Sequence, residues 1–263
     1  MQRREVLAGL AAAVVTSAPG QEHNAQTSNT FLELKTWRLH NTGENQGARV
    51  SAYLENGLMP ALSRAGAKLA GAFSNVIGAD GPYYVTLSEF DSLHAFQEAL
   101  MALRSDPEHQ RELEKLSSGA GLPFVRVESS LLRSFDVMPR VNYGAQTAGN
   151  PSRRIFELRT YESQSFLTLR RKLQMFNEGE AQIFERLGMR PVFFGETIAG
   201  RKQPSLHYML SYDDLAARER LWSAFGSDPE WQKLRTQPHF SDAEIVANIS
   251  NVILGPLPFS PVR

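Results

Sequence analysis

The chain has 263 residues, 28 basic and 28 acidic side chains, 42% hydrophobic residues and no cysteine. A balanced charge gives no summed field for a polyanion, so no nucleic-acid partner is expected. The lack of cysteine excludes disulfides, thiolate nucleophiles and cysteine-held zinc or iron.

Residues 1–28 read as an export leader and a disordered lead-in. Arg3-Arg4 precedes an apolar run that ends at Ala18, too short for a membrane span of about 20 apolar residues. The pattern resembles a twin-arginine signal. The expected location is therefore periplasmic or secreted in a bacterium, with no stable membrane insertion after the leader is removed.

Residues 29–135 form the first expected domain. Alternating apolar and polar side chains predict a strand at 31–39. Apolar positions Tyr53, Leu54, Leu58 and Leu62 at helical spacing predict a helix over 46–65, stopped by Gly66. Strands at 69–78 and 82–90 flank the turn Asp80-Gly81-Pro82. A helix capped by Asp91 follows and restarts at Asp106-Pro107, where a cap acceptor precedes a proline suited to the first helical position. A strand at 123–134 closes the unit. Residues 136–152, rich in Gly, Asn, Pro and Gln, read as a linker.

The order then repeats over 153–263: strand 155–162, helix 165–187 stopped by Gly188, strands 191–199 and 204–212, a helix capped by Asp213 that restarts at Asp228-Pro229, and strand 244–254. Phe31-Leu32-Glu33-Leu34-Lys35-Thr36-Trp37 aligns with Ile155-Phe156-Glu157-Leu158-Arg159-Thr160-Tyr161. Ser105-Asp106-Pro107-Glu108 aligns with Ser227-Asp228-Pro229-Glu230. A period this long points to two domains rather than a solenoid. The expected fold is α+β: two tandem ferredoxin-like domains forming a pseudo-dimeric α+β barrel.

These residues resemble the NIPSNAP family of the dimeric α+β barrel superfamily. Glu157-Leu158-Arg159-Thr160-Tyr161 is similar to its first-strand signature; Tyr212-Asp213-Asp214-Leu215 through Arg218, with Asp228-Pro229-Glu230-Trp231-Gln232, is similar to its later strand-to-helix segment. The first half departs, with Trp37 in place of Tyr161 and His109 in place of Trp231. The resemblance implies the fold and no fixed reaction. Where some members place His-x-Trp-x-Tyr on the third strand, this chain has Tyr208, Leu210 and Tyr212, which weakens a histidine mechanism taken from relatives.

A sheet covered by helices on one face leaves the other to be buried elsewhere. On this reading Leu32, Leu34, Phe156 and Leu158 face the helices, whereas Glu33, Lys35, Trp37, Glu157, Arg159 and Tyr161 line the barrel interior. Tyr208 and Tyr212 project to the side of that second trio. These eight residues are the candidate ligand-binding set, in which Arg159 would hold the polar group of a small, mostly apolar molecule. The same charges could instead pair with one another across the barrel. His207 is expected to face the helices, and Asp213, Asp214 and Arg218 to form an exposed cap and ion pair. Trp222 and Trp231 are expected to seal the helical face. No metal ligand spacing, phosphate loop or nucleophile elbow is present, and no cofactor is expected. Three functions remain open: binding in the barrel, cofactor-independent oxygenation or isomerisation by fold analogy, and a non-catalytic interaction module. A homo-oligomer is compatible with each.

Overall fold

The computed structural model describes residues 28–41, 43, 45–144 and 154–263. The Arg3-Arg4 leader, residues 145–152 of the expected linker and Arg153 lie outside the described residues. Eight antiparallel strands close into one barrel in the order β1-β3-β2-β8-β5-β7-β6-β4. The first half supplies β1 (Phe31–Arg38), β2 (Lys68–Ile77), β3 (Tyr83–Phe90) and β4 (Arg126–Ser134); the second supplies β5 (Ile155–Glu162), β6 (Arg190–Ala199), β7 (Ser205–Tyr212) and β8 (Asn248–Pro256). Each half contributes a contiguous four-stranded sheet whose central strands are its first and third. The halves join through β2 with β8 and β4 with β6. Closure leaves no unpaired sheet edge.

Helices cover the outside of both sheets. In the first half α1 (Gln46–Tyr53) runs through a π-turn at Leu54–Leu58 into α2 (Met59–Arg64). In the second, α5 (Phe166–Met175) runs through a π-turn at Phe176–Glu180 into α6 (Ala181–Arg186). Each π-turn holds a glycine where a second helix comes close: a Cβ on Gly57 would lie 2.8 Å from that of Glu112, and one on Gly179 would lie 3.0 Å from Leu234. Those neighbours belong to α4 (Pro107–Ser117) and α8 (Pro229–Arg235), which follow α3 (Leu93–Ser105) and α7 (Leu215–Ser227). Asp106 and Asp228 cap α4 and α8 by accepting from two backbone N–H groups each, as the Asp-Pro pairs predict. The preceding caps are one residue later than expected. Ser92, not Asp91, accepts from Ala95 N, and Asp214, not Asp213, accepts from Ala217 N. The last strand also starts later, at Asn248, because Asp242–Ile245 forms a short helix, α9.

The expected facing of the strands is inverted. Leu32, Leu34, Val85, Leu87, Phe156, Leu158, Met209 and Leu254, drawn from both halves, pack with one another inside the barrel, and the Phe73 and Phe156 rings meet there at 4.8 Å. The opposite parity lies under the helices. Tyr161, Tyr208 and Tyr212 pack with Leu169, Phe176, Phe184 and Trp231, while Trp37 packs with Val50, Tyr53 and Leu54. An eight-stranded barrel is just wide enough for side chains to fill. Charges there would lose water with no helix to supply partners, so the apolar parity turns inward.

One end of the barrel is plugged. Val141 and Val262 are buried in the interior cluster. Val141 N and the Tyr143 hydroxyl donate to the buried Glu89 carboxylate at 3.0 and 2.9 Å. Val262 N donates to Ala70 O at 3.1 Å. The barrel is therefore a cup whose open end lies at the β2–β3 and β6–β7 turns. Among the described residues no helix is long and apolar enough to cross a membrane.

Candidate functional site

Of the eight residues singled out from sequence, five lie together between the second sheet and its helices, and four of them form one hydrogen-bonded network. Glu157 is fully buried, and its carboxylate accepts from Arg218 Nη2 at 2.6 Å, Arg218 Nε at 3.0 Å, Arg159 Nη1 at 2.9 Å, Trp222 Nε1 at 2.8 Å and Asn251 Nδ2 at 2.8 Å. Arg159 Nη2 donates to the Tyr161 hydroxyl at 3.2 Å, which also accepts from the Tyr208 hydroxyl at 3.0 Å. The Arg159 guanidinium lies 4.4 Å from the Trp222 ring centroid. Tyr212 is buried beside the same network. Arg218 thus reaches the sheet rather than Asp214, and Asp213 pairs with Arg190.

The other three residues are in the equivalent place of the first half. Glu33 pairs with Lys35 at 2.9 Å and accepts from Ser129 Oγ at 2.9 Å, and Trp37 Nε1 donates to Thr86 Oγ1 at 3.2 Å. The two sets sit under different helices and do not meet in the barrel. Ion pairing of Glu157 or Arg159 with Glu33 and Lys35 is therefore excluded.

The Glu157 carboxylate is saturated, although Arg159 Nε and the Tyr212 hydroxyl beside it are buried without a hydrogen-bond partner among the described residues. Burial alone would raise the Glu157 carboxyl, but hydrogen bonds from Arg218, Asn251 and Trp222 and the charge of Arg159 outweigh it and hold the group below the ordinary carboxylate range. Burial pushes the Tyr208 hydroxyl well up, so it stays a phenol. None of these groups is poised for proton transfer near neutral pH. The network fastens α7, through Arg218 and Trp222, to the centre of β5.

The open end of the cup is different. It holds a cavity of about 360 Å³, within the usual range for small-molecule sites of about 300–1,000 Å³. Leu34, Val85, Leu158 and Val252 form its apolar walls. Two buried polar groups face it without a hydrogen-bond partner among the described residues: the Tyr83 hydroxyl and His207 Nε2. Tyr83 is 3% exposed and His207 7%. His207 Nδ1 is engaged by Thr160 Oγ1 at 2.9 Å, so the ring is fixed and its other nitrogen is left over. His207 alternates out of the helical face and into the lumen, the reverse of the sequence expectation.

The rim is basic. Arg38, Arg126, Arg201 and Lys202 stand there with Glu128 and Asp80. Three guanidiniums converge on Glu128, from Arg126 at 2.8 Å, Arg201 at 2.5 Å and Arg38 at 3.2 Å. The Arg38 guanidinium also covers the Tyr83 ring at 4.7 Å. Sequence reasoning missed Arg38, Tyr83, Glu128 and Thr160 because it turned this parity outward. One signal was available. Leu32-x-Leu34-x-Thr36-x-Arg38 and Phe156-x-Leu158-x-Thr160-x-Glu162 both run from apolar to polar towards the same end. Among the described residues no group of three or more potential metal ligands comes together.

Burial, and then the charge of Lys202, push His207 down to about 4. A free histidine titrates near 6.5, so between these values the unfolded chain holds a proton that the folded chain refuses. The stability is fully present above pH 6.5 and declines as the pH falls towards 4, by about 2 kcal/mol at pH 5 from this group. Urea unfolding at pH 7.5 and 5.0 should show this loss in the wild type and a change smaller by about 2 kcal/mol in His207→Gln. Equal pH dependence in both proteins would show that His207 is not held neutral.

Residues 156–261 match the NIPSNAP family model. A NIPSNAP-like domain protein of Burkholderia xenovorans is 24% identical over 42% of this chain and 90% of its own, with a TM-score of 0.38. Two candidate monooxygenases span nearly the whole barrel at 10% identity. That of Lactobacillus acidophilus covers 87% of this chain and 94% of its own with a TM-score of 0.57. That of Fusobacterium nucleatum covers 88% and 93% with a TM-score of 0.58. At this identity they share the fold, which carries no activity with it. No curated protein matches the sequence.

Proposed function

We propose that this chain, whose residues 156–261 are a NIPSNAP domain, binds a small molecule with an apolar body inside the open end of its barrel. The observation that carries this reading is the pair of buried, unpartnered polar atoms, Tyr83 Oη and His207 Nε2, on the wall of one cavity. Buried polar atoms are normally hydrogen-bonded, and leaving one unsatisfied costs about 1–3 kcal/mol. A ligand that supplies partners recovers that energy. The cavity weighs against a pure interaction module. Cofactor-independent oxygenation, suggested by the candidate monooxygenases that share the fold, needs a base to generate a carbanion or enolate. An imidazole held near pKa 4 is a weak one, so binding is favoured over turnover.

Thermal-shift screening of a small-molecule library tests the reading. Ligands that stabilise the wild type should lose their effect in Thr36→Trp, which places bulk at the mouth of the cup, and keep it in Arg159→Ala. The opposite pattern would move the site beneath the helices and overturn the barrel reading.

The two halves are further read as a tandem duplication of a ferredoxin-like unit, with boundaries at 29–135 and 153–263. The repeated element order, the paired π-turns and the matching place of each half's central strands support it. Export through Arg3-Arg4 belongs to the same proposal. Loss of periplasmic protein in an Arg3→Lys/Arg4→Lys variant, assayed by fractionation, is its expected consequence.

A further inference from the structure

We infer that the cup takes a small carboxylic acid carrying a second polar group on the far side of an apolar body. This inference rests on the reading of the barrel mouth as a ligand site and names what that site selects. Three features determine the ligand's chemistry.

The first is charge. Four cationic side chains stand at the mouth with the carboxylates of Asp80, Glu128 and Glu162, the last 3.5 Å from Lys202 Nζ, so the rim has an excess of one positive charge. Three of the cations crowd a single carboxylate, Glu128, whose own carboxyl is held low by them against the opposing effect of burial. Like charges brought this close repel one another, and an arriving anion relieves that repulsion. Arg38 is the cation set deepest, with a side chain only 19% exposed. Its guanidinium carries five N–H donors, of which Nε and Nη2 reach Glu128 and Nη1 reaches the Asp80 carbonyl at 3.3 Å. Donors remain for a carboxylate, the planar anion to which a guanidinium is matched.

The second feature is the apolar wall below the rim. Leu34, Val85, Leu158 and Val252 offer no hydrogen bonds and rest on the packed barrel core. The body of the ligand is therefore hydrocarbon, aliphatic or aromatic.

The third is the polar pair. By the repeat that equates Arg38 with Glu162, His207 stands beside Thr160, two strand positions below the rim. That is about 7 Å of depth. A hydroxyl at that depth, which both donates and accepts, can serve the Tyr83 hydroxyl and can serve His207 Nε2 in either tautomer, whereas a keto oxygen, which only accepts, serves His207 only when Nε2 carries the proton. The spacing between rim cations and His207 sets the distance between the two polar ends of the ligand.

The test uses three probes of one shape: 3-phenylpropanoate, its neutral isostere 3-phenylpropanamide, and 3-(4-hydroxyphenyl)propanoate. Affinity is measured by calorimetric titration of the full chain at low and high salt. The acid is expected to bind at least tenfold more tightly than the amide, with the preference shrinking at high salt and in Arg38→Gln. The hydroxylated acid is expected to bind more tightly again, and that second gain should vanish in Tyr83→Phe. Tyr83→Phe removes an unpartnered hydroxyl and so keeps the fold. Equal or tighter binding of the amide would overturn the acid preference while leaving the cup as a ligand site. So would an acid preference unchanged in Arg38→Gln. Failure of all three probes to bind would overturn the cup as a ligand site and this inference with it.

Discussion

Glu157→Ala lowers the unfolding free energy by about 3–5 kcal/mol, the range for breaking a buried ion pair by removing one partner. The carboxylate is fully buried and serves two guanidiniums, an indole and an amide. Deleting it leaves Arg159, 13% exposed at its side chain, facing Arg218, 22% exposed, whose remaining ion-pair partner is the exposed Glu219 at 3.8 Å. The loss should be local as well as global. Arg218 and Trp222 both belong to α7 and reach the sheet through Glu157, so amide exchange in Leu215–Ser227 should accelerate more than in α3. A double-mutant cycle with Arg218→Ala isolates the pair, and a coupling of at least about 1.5 kcal/mol is expected for neighbours in one network. A Glu157→Ala loss below about 1 kcal/mol would mean that water reaches the network and screens it, as at an exposed pair.

The pH dependence of the same residue has a definite sign. The folded carboxyl titrates below its ordinary range, so its contribution is present above the unfolded value near 4.3 and is lost as the pH falls through the lower folded value. Glu157→Ala removes that dependence in the acid range, while the loss assigned to His207 between pH 6.5 and 4 persists.

Element order was legible in the sequence because helix stops, Asp-Pro caps and strand alternation act locally. Gly66 and Gly188 adopt the positive φ angles of 74° and 81° that such stops require. Facing was not legible. Along β1 and β5 an apolar residue and a charged or aromatic one alternate so evenly that either parity can be turned inward. The choice depends on what the helices bring. Arg218 and Trp222 lie about sixty residues from Glu157 in sequence, and near Arg218 the sequence shows Asp213 and Asp214, which suggest a local pair. Only the docked α7 shows that its inner face carries the donors Glu157 needs. The ligand site proposed here follows the parity, into the lumen of the cup, whereas the sequence placed its candidate at the Arg159 cluster.

The buried pair Lys172–Glu180 gives the second large effect. Lys172 is 1% exposed and its Nζ lies 2.8 Å from Glu180 Oε2, itself 2% exposed at the π-turn. The ammonium is surrounded by the rings of Phe176 at 5.0 Å, Tyr161 at 5.4 Å and Trp231 at 5.6 Å, an arrangement in which the ring faces attract the cation. Burial pushes the Glu180 carboxyl up, against the pull of Lys172. In Lys172→Met that pull is gone, and the carboxyl must bind a proton to remain inside. The variant should therefore lose about 3–5 kcal/mol at pH 8. A carboxyl whose folded value is raised contributes stability below its unfolded value and loses it as the pH rises through the folded one. Lys172→Met should accordingly recover part of its loss on acidification to pH 5.5, against the trend of the wild type. Lys172→Met/Glu180→Leu replaces both charges with apolar groups, and the thioether regains contact with the aromatic rings. Its stability is expected within about 1 kcal/mol of the wild type and independent of Glu180 titration. Urea unfolding across pH 5.5 to 8 reads all three proteins. A double variant as unstable as Lys172→Met would show that the ion pair itself, rather than the penalty of leaving one charge alone, holds the α5–α6 turn against the sheet.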